Sequence, residues 1–269
     1  MLAIRPGDHI GTTFASPAQF AATTVAFTEQ AIGAGALIMI FPGDPDRQDT
    51  AGYGHHLGER SSAVAAAAAR GQVQIGDSHQ VQLAPGHFDP DYLRQAYAAA
   101  TARALTAGYR GLWVSVDMSW AAAVDPAALT AFEAAAFSLF TSGDLTAICQ
   151  YDEHAFPPAT ASAACAAHPA ALDSPRPLRH RRAGDTLVLS GETDLTNRTA
   201  FATLLGSLRP GDTLDITGMT FVDVRGLVAI TDRRTRLPDL TVRATHVHSQ
   251  MMAFILGDTD DRGAGASTG

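Results

Sequence analysis

Ala36-Leu37-Ile38-Met39-Ile40-Phe41 is an unbroken apolar run stopped by Pro42-Gly43, as expected of a strand buried on both faces. The chain around it has the matching rhythm. Over residues 1–158, short β-rich runs alternate with amphipathic helices, the pattern of an α/β domain on a mainly parallel sheet flanked by helices. Residues 9–14 form a first strand, and Ser16-Pro17 then opens a helix as N-cap and first helical residue. In that helix Phe20, Thr24, Phe27 and Ala31 share one face. An Ala-rich helix ends near Arg70-Gly71, and residues 73–75 and 79–83 are expected as short strands. Asp89-Pro90 and Asp125-Pro126 start two more helices, while residues 111–117 and 145–151 supply further strands.

At 269 residues the chain has room for about two domains. Residues 159–183 change character, with repeated Pro and Ala and a basic cluster Arg179-His180-Arg181-Arg182. This stretch is expected to be a solvated linker. Beyond it, residues 184–258 alternate strand, helix, strand, helix, strand and helix, which predicts a second, small α/β domain, and residues 259–269 make a flexible tail. A net charge of −8 with no Lys among the cations argues against broad phosphate-backbone binding, so no direct nucleic-acid partner is expected. No apolar run approaches the roughly 20 residues that span a bilayer. With only Cys149 and Cys165 and no signal-peptide pattern, the expected compartment is the reducing cytoplasm.

Two family resemblances follow from particular residues. Leu189-Ser190-Gly191-Glu192-Thr193-Asp194-Leu195 and Phe221-Val222-Asp223-Val224-Arg225-Gly226-Leu227 resemble the STAS family of anti-sigma-factor antagonists. That resemblance implies a protein partner, such as an anti-sigma factor or a histidine-kinase-like regulator, engaged through Asp194, Asp223, Val224 and Arg225. Phosphorylatable members carry a hydroxyl directly after the loop aspartate, where this chain has Val224. The usual phosphorylation switch is therefore not expected. Residues 5–156, through Gly7-Asp8-His9-Ile10, Phe14, Val116-Asp117-Met118-Ser119-Trp120 and Cys149-Gln150-Tyr151-Asp152, resemble the MEDS domain, a sensory module of bacterial and archaeal regulators. This second resemblance implies binding of a small organic ligand on a fold related to RecA-type ATPases. Where many members have a cysteine two residues after the histidine, this chain has Gly11.

Open α/β sheets bind ligands at the carboxyl ends of their strands. Asp8, His9, Phe14, Asp117, Met118, Trp120, Tyr151 and Asp152 are accordingly the candidate ligand-binding residues, with Trp120 supplying apolar area and the acids polar anchors. The plainer alternative is that Asp117 caps a turn and Trp120 packs in the core. His55-His56, His79, His87, His246 and His248 show no metal-ligand spacing, so neither a metal nor a cofactor is expected. The chain lacks a phosphate loop with Lys, G-x-S-x-G and G-x-G-x-x-G. The reading is a signalling protein and not an enzyme. The competing class is a degenerate RecA-like nucleotide-binding protein or enzyme carrying a STAS interaction module.

Overall fold

The computed structural model describes residues 3–43 and 50–256; the tail expected over 259–269 lies outside them. In chain order the elements are β1 (His9–Phe14), α1 (Pro17–Gly33), β2 (Leu37–Phe41), α2 (Thr50–Arg60), α3 (Ser62–Ala69), β3 (Val73–Ile75), α4 (Ser78–Gln82) and α5 (Pro90–Thr106). β4 (Leu112–Asp117), α6 (Pro126–Ala135), β5 (Leu145–Asp152), α7 (Pro158–Ala166) and the short β6 (Ala170–Ala171) follow. The remainder is β7 (Arg179–Ala183), β8 (Thr186–Thr193), α8 (Arg198–Gly206), β9 (Thr213–Val222), α9 (Val224–Arg236), β10 (Thr241–Arg243) and α10 (His246–Ile255).

The described residues form two sheets, of which the first has six strands in the order β3-β2-β4-β5-β1-β6, all parallel. The apolar run behaves as its composition requires, because successive side chains of a strand point to opposite faces. Ile38 and Ile40 enter one apolar cluster with Phe20, Phe27 and Trp113, while Leu37 and Phe41 enter another with Val114, Leu129 and Tyr151. Each fully buried Ile contributes about 1.5–3 kcal/mol. The second sheet is four-stranded and mixed, β10-β9-β8-β7, with only β7 antiparallel to its neighbour. Its helices close a third cluster around Leu187, Leu189, Phe201, Ile216 and Ile230.

Three expectations are corrected. Residues 79–83 form not a strand but most of α4, because the Asp77 carboxylate accepts the Gln80 N–H and caps a helical turn. The expected linker over 159–183 is folded. Pro158 stands at the first turn of α7, where its missing N–H costs nothing, and small buried Ala161, Ala164 and Ala170 let α7 and β6 lie close against β1. Arg179 and Arg182 belong to β7 and are paired with Asp8 and Asp212. The strand expected over 213–217 runs on to Val222, accommodated by register shifts against β8. As a result, Asp223 directly caps α9 through the Gly226 N–H at 2.7 Å.

Candidate functional site

β1 and β5 are parallel neighbours, with His9 opposite Ala147, Gly11 opposite Cys149 and Thr13 opposite Tyr151. The two-residue period of a strand therefore turns His9, Cys149 and Tyr151 toward the same face. α6 lies over that face, started by Pro126 and the Asp125 cap, and it buries Leu129, Phe132 and Glu133. His168 arrives from the turn after α7, where its N–H reaches the Cys165 carbonyl at 3.0 Å.

These side chains meet in a space closed to solvent. Glu133 is 2% exposed, and its Oε2 stands 3.4 Å from Nε2 of His9 and 3.4 Å from Nε2 of His168. Its other oxygen, Oε1, accepts the Tyr151 hydroxyl at 2.9 Å. Cys149 Sγ lies 3.7 Å from His9 Nε2. Nδ1 of His168 is 2.9 Å from the Ala164 carbonyl, which can only accept, so Nδ1 carries a proton. The His9 ring stacks on Phe140 at 4.2 Å and tilts against His168 at 4.1 Å.

Burial shapes the protonation states. Burial first, then the neighbouring His168, lowers His9 to about 4, so its ring is neutral at pH 7. Burial alone would push the Glu133 carboxyl up. The two imidazoles that face Oε2, His168 first and then His9, outweigh it and hold the carboxyl well below the usual carboxylate range. Burial, reinforced by the Glu133 charge, pushes the Cys149 thiol well above its usual value.

His9, Glu133 and Cys149 also line a small chamber of about 40 Å³ on this face of the sheet. Its other walls are mainly apolar and aromatic, including Met118, Trp120, Phe132 and Phe140, with Gln82 donating to the Tyr97 hydroxyl at 2.6 Å. Trp120 Nε1 and His9 Nδ1 are buried there without a hydrogen-bond partner among the described residues.

A family model, the methanogen/methylotroph, DcmR sensory domain known as MEDS, matches residues 8–169. The chain belongs to the MEDS family. No match is found among curated proteins. The MEDS match ends at Pro169 and so takes in α7 and His168, which the expected boundary at residue 158 left out. Its sensory character points to a signalling role for the chain.

Of the eight ligand-binding candidates, the MEDS chamber contains His9, Met118 and Trp120. Tyr151 acts one step away, on Glu133. Phe14 points to the opposite face of the sheet and packs on Phe20. Asp117 accepts the Ser119 N–H and hydroxyl and caps the turn that carries Met118 and Trp120, which was the plainer alternative for it. Asp152 holds His154 at the end of β5. Asp8 is clamped by Arg179, Nε to Oδ1 at 2.7 Å and Nη2 to Oδ2 at 2.9 Å. The chamber thus sits on the sheet face and not at the strand ends. Glu133, Cys149, His168, Gln82 and Tyr97 were missed. Glu133 alone carried a signal in the sequence, as the one acid on an inward face otherwise made of Leu129, Phe132 and Ala136.

In the second unit, Asp194 and Asp223 are occupied with local turns and caps. Val224 and Arg225 are exposed at the start of α9. Leu195, Phe221 and Val228 are exposed large apolar residues nearby in the fold, at the carboxyl ends of β8 and β9 and on the first turns of α9. Among the described residues, no helix is long and apolar enough to cross a membrane.

Proposed function

We propose that this protein is a cytoplasmic signal-transduction protein that works by binding and not by catalysis. Its MEDS domain takes a small organic molecule into the chamber bounded by His9, Met118 and Trp120, and its second domain, similar to STAS modules, passes the state to a protein partner. One observation supports this coupling above the others. His9 in the chamber wall directly follows Asp8, whose carboxylate is gripped by Arg179 of β7, the edge strand of the second sheet. A shift of β1 on ligand binding would therefore be felt in the second sheet.

The chamber's size limits the ligand. A water-sized probe needs roughly 10–15 Å³, so about 40 Å³ accepts a molecule of only a few heavy atoms. The mainly apolar walls favour an apolar body, and the unpartnered indole N–H favours one acceptor. At the other end, the exposed Leu195, Phe221, Val224 and Val228 support a docking face for a partner such as an anti-sigma factor or a histidine-kinase-like regulator. Exposed Arg225 adds a guanidinium suited to a partner carboxylate. Val224 leaves no hydroxyl for the usual phosphorylation.

Tryptophan emission tests the ligand. Trp113 lies on the opposite face of the sheet, against Phe27, so Trp113→Phe leaves Trp120 as the sole reporter. Titration with alcohols, ethers and halocarbons of up to about four heavy atoms is expected to change its emission saturably. Trp120→Phe should weaken binding about tenfold, measured by calorimetry, with circular dichroism near wild type. If no compound of this size binds, the chamber assignment falls.

A further inference from the structure

We propose that His9, Glu133, Cys149 and His168 form a binding site for one first-row divalent transition-metal ion, with zinc(II) the best match. The proposal stands apart from the identity of the chamber's organic ligand.

The distances carry it. Zinc bonds of about 2.0–2.1 Å to nitrogen or oxygen and about 2.3 Å to sulfur, set at tetrahedral angles, place donor atoms about 3.3–3.7 Å apart. Here the two histidine–Glu133 separations are both 3.4 Å and the sulfur–His9 separation is 3.7 Å. One ligand atom from each of the four residues can be chosen so that all lie within 4.8 Å of one another. Direct hydrogen bonding explains the arrangement poorly, because 3.4 Å exceeds the usual 2.7–3.2 Å for N–H···O. Nε2 of His168 is fully buried, faces Glu133, and has no hydrogen-bond partner among the described residues.

The surroundings orient His168 and Glu133 as a metal site requires. A metal-bound histidine usually donates its other ring N–H to a carbonyl or carboxylate, and His168 Nδ1 does so to Ala164. Tyr151 occupies Oε1 of Glu133 and leaves Oε2 facing both rings. Gly11 supplies the room, since a Cβ there would meet the His168 ring at 2.8 Å. His168 and Cys165 also line a cleft of about 850 Å³ beside the carboxyl ends of β1 and β5. Two imidazoles, a thiolate and one carboxylate suit zinc, cobalt or iron. Calcium and magnesium demand six or more ligands, mostly oxygens, that this cluster does not have.

The test uses the full-length chain, stripped with chelator and reloaded with zinc(II) or cobalt(II). Elemental analysis should find one ion per chain after dialysis, and X-ray absorption at the zinc edge should show one sulfur with nitrogen and oxygen neighbours. The cobalt form should display a thiolate-to-metal charge-transfer band that Cys149→Ser abolishes and Cys165→Ser leaves in place. Tyr151→Phe, which touches only the orientation of Glu133, should weaken metal affinity about 10–100-fold. Failure of the wild-type chain to retain an ion, a zinc spectrum without sulfur, or a band unchanged in Cys149→Ser would each overturn the site. The wild-type spectrum decides the matter even if a variant fails to fold.

Discussion

A methyl group on Gly11 would lie 2.8 Å from Cγ and Nδ1 of His168, with Cα of Cys165 behind it at 3.1 Å. The ring is fixed at Nδ1 by the Ala164 carbonyl and faces Glu133 with Nε2, so it has little freedom to retreat. Gly11→Ala should therefore destabilise the protein by about 1–3 kcal/mol, the usual cost of overpacking a core. Combining it with His168→Ala removes the obstacle, and the double variant should lose less than the sum of the singles. Urea unfolding measures all three, and strict additivity would show that the ring is not what Gly11 accommodates. The same position shows how far single residues could be read. His9, Met118 and Trp120 were legible because each stands beside a strand signal in the sequence. His168 was not, because its meaning depends on Gly11 more than 150 residues earlier, and only the pairing of β1 with β5 and β6 brings them together. Metal-ligand spacing was likewise invisible, since His9, Glu133, Cys149 and His168 come from four separate segments.

At the level of elements, β7 is where composition misled. Pro, Ala and Arg suggest a solvated chain when counted, yet Arg179 and Arg182 each reach a buried or nearly buried carboxylate. Alternation, not average polarity, is what a strand needs. The Arg182 guanidinium meets Asp212 Oδ2 at 2.5 Å, and the same oxygen accepts the Arg209 N–H at 2.8 Å. Burial would push the Asp212 carboxyl up, but the Arg182 hydrogen bond, the Arg209 N–H and the two positive charges outweigh it, and the carboxyl titrates below its ordinary value. A carboxyl lowered in the folded state contributes stability above its unfolded value of about 3.9. That contribution disappears as pH falls through the lower folded value. Arg182→Met should reduce stability at pH 7 by about 1 kcal/mol and move the acid-unfolding midpoint, followed by circular dichroism, to higher pH. An unchanged midpoint would mean that the pair contributes nothing to folding. Other elements were read well, notably α1, α5 and α6, because each begins with a Ser or Asp cap followed by Pro. α4 was lost because five residues are too few for helical periodicity to outweigh the alternation of Val81 and Leu83 with polar neighbours.

On the scale of the whole molecule, two sheets were legible from two series of strand and helix signals, but a free tether between them was the wrong picture. β7 and Leu178 just before it join them through three kinds of contact. Arg179 grips Asp8 and the Ala3 carbonyl, His180 Nε2 lies 3.0 Å from the Phe137 carbonyl with its ring edge-on to Phe137, and Leu178 is buried in the third apolar cluster. Trypsin can cut after Arg179, Arg181 or Arg182 only if β7 first leaves β8 and gives up these contacts. Cleavage there should track the population of that opened form and not the flexibility of a linker. Native protein is thus expected to resist cutting at these three positions. Asp8→Asn keeps the shape of the side chain and removes the charge that Arg179 holds. Losing a charge-assisted hydrogen bond costs about 1.5–3 kcal/mol, and about 1.4 kcal/mol is already tenfold in an equilibrium. Cleavage at the β7 arginines should then rise at least about tenfold, read by mass spectrometry of the fragments over time. Rapid cutting at 179–182 in the unaltered chain would restore the picture of a loose linker, and with it would go the mechanical route from His9 to the second sheet.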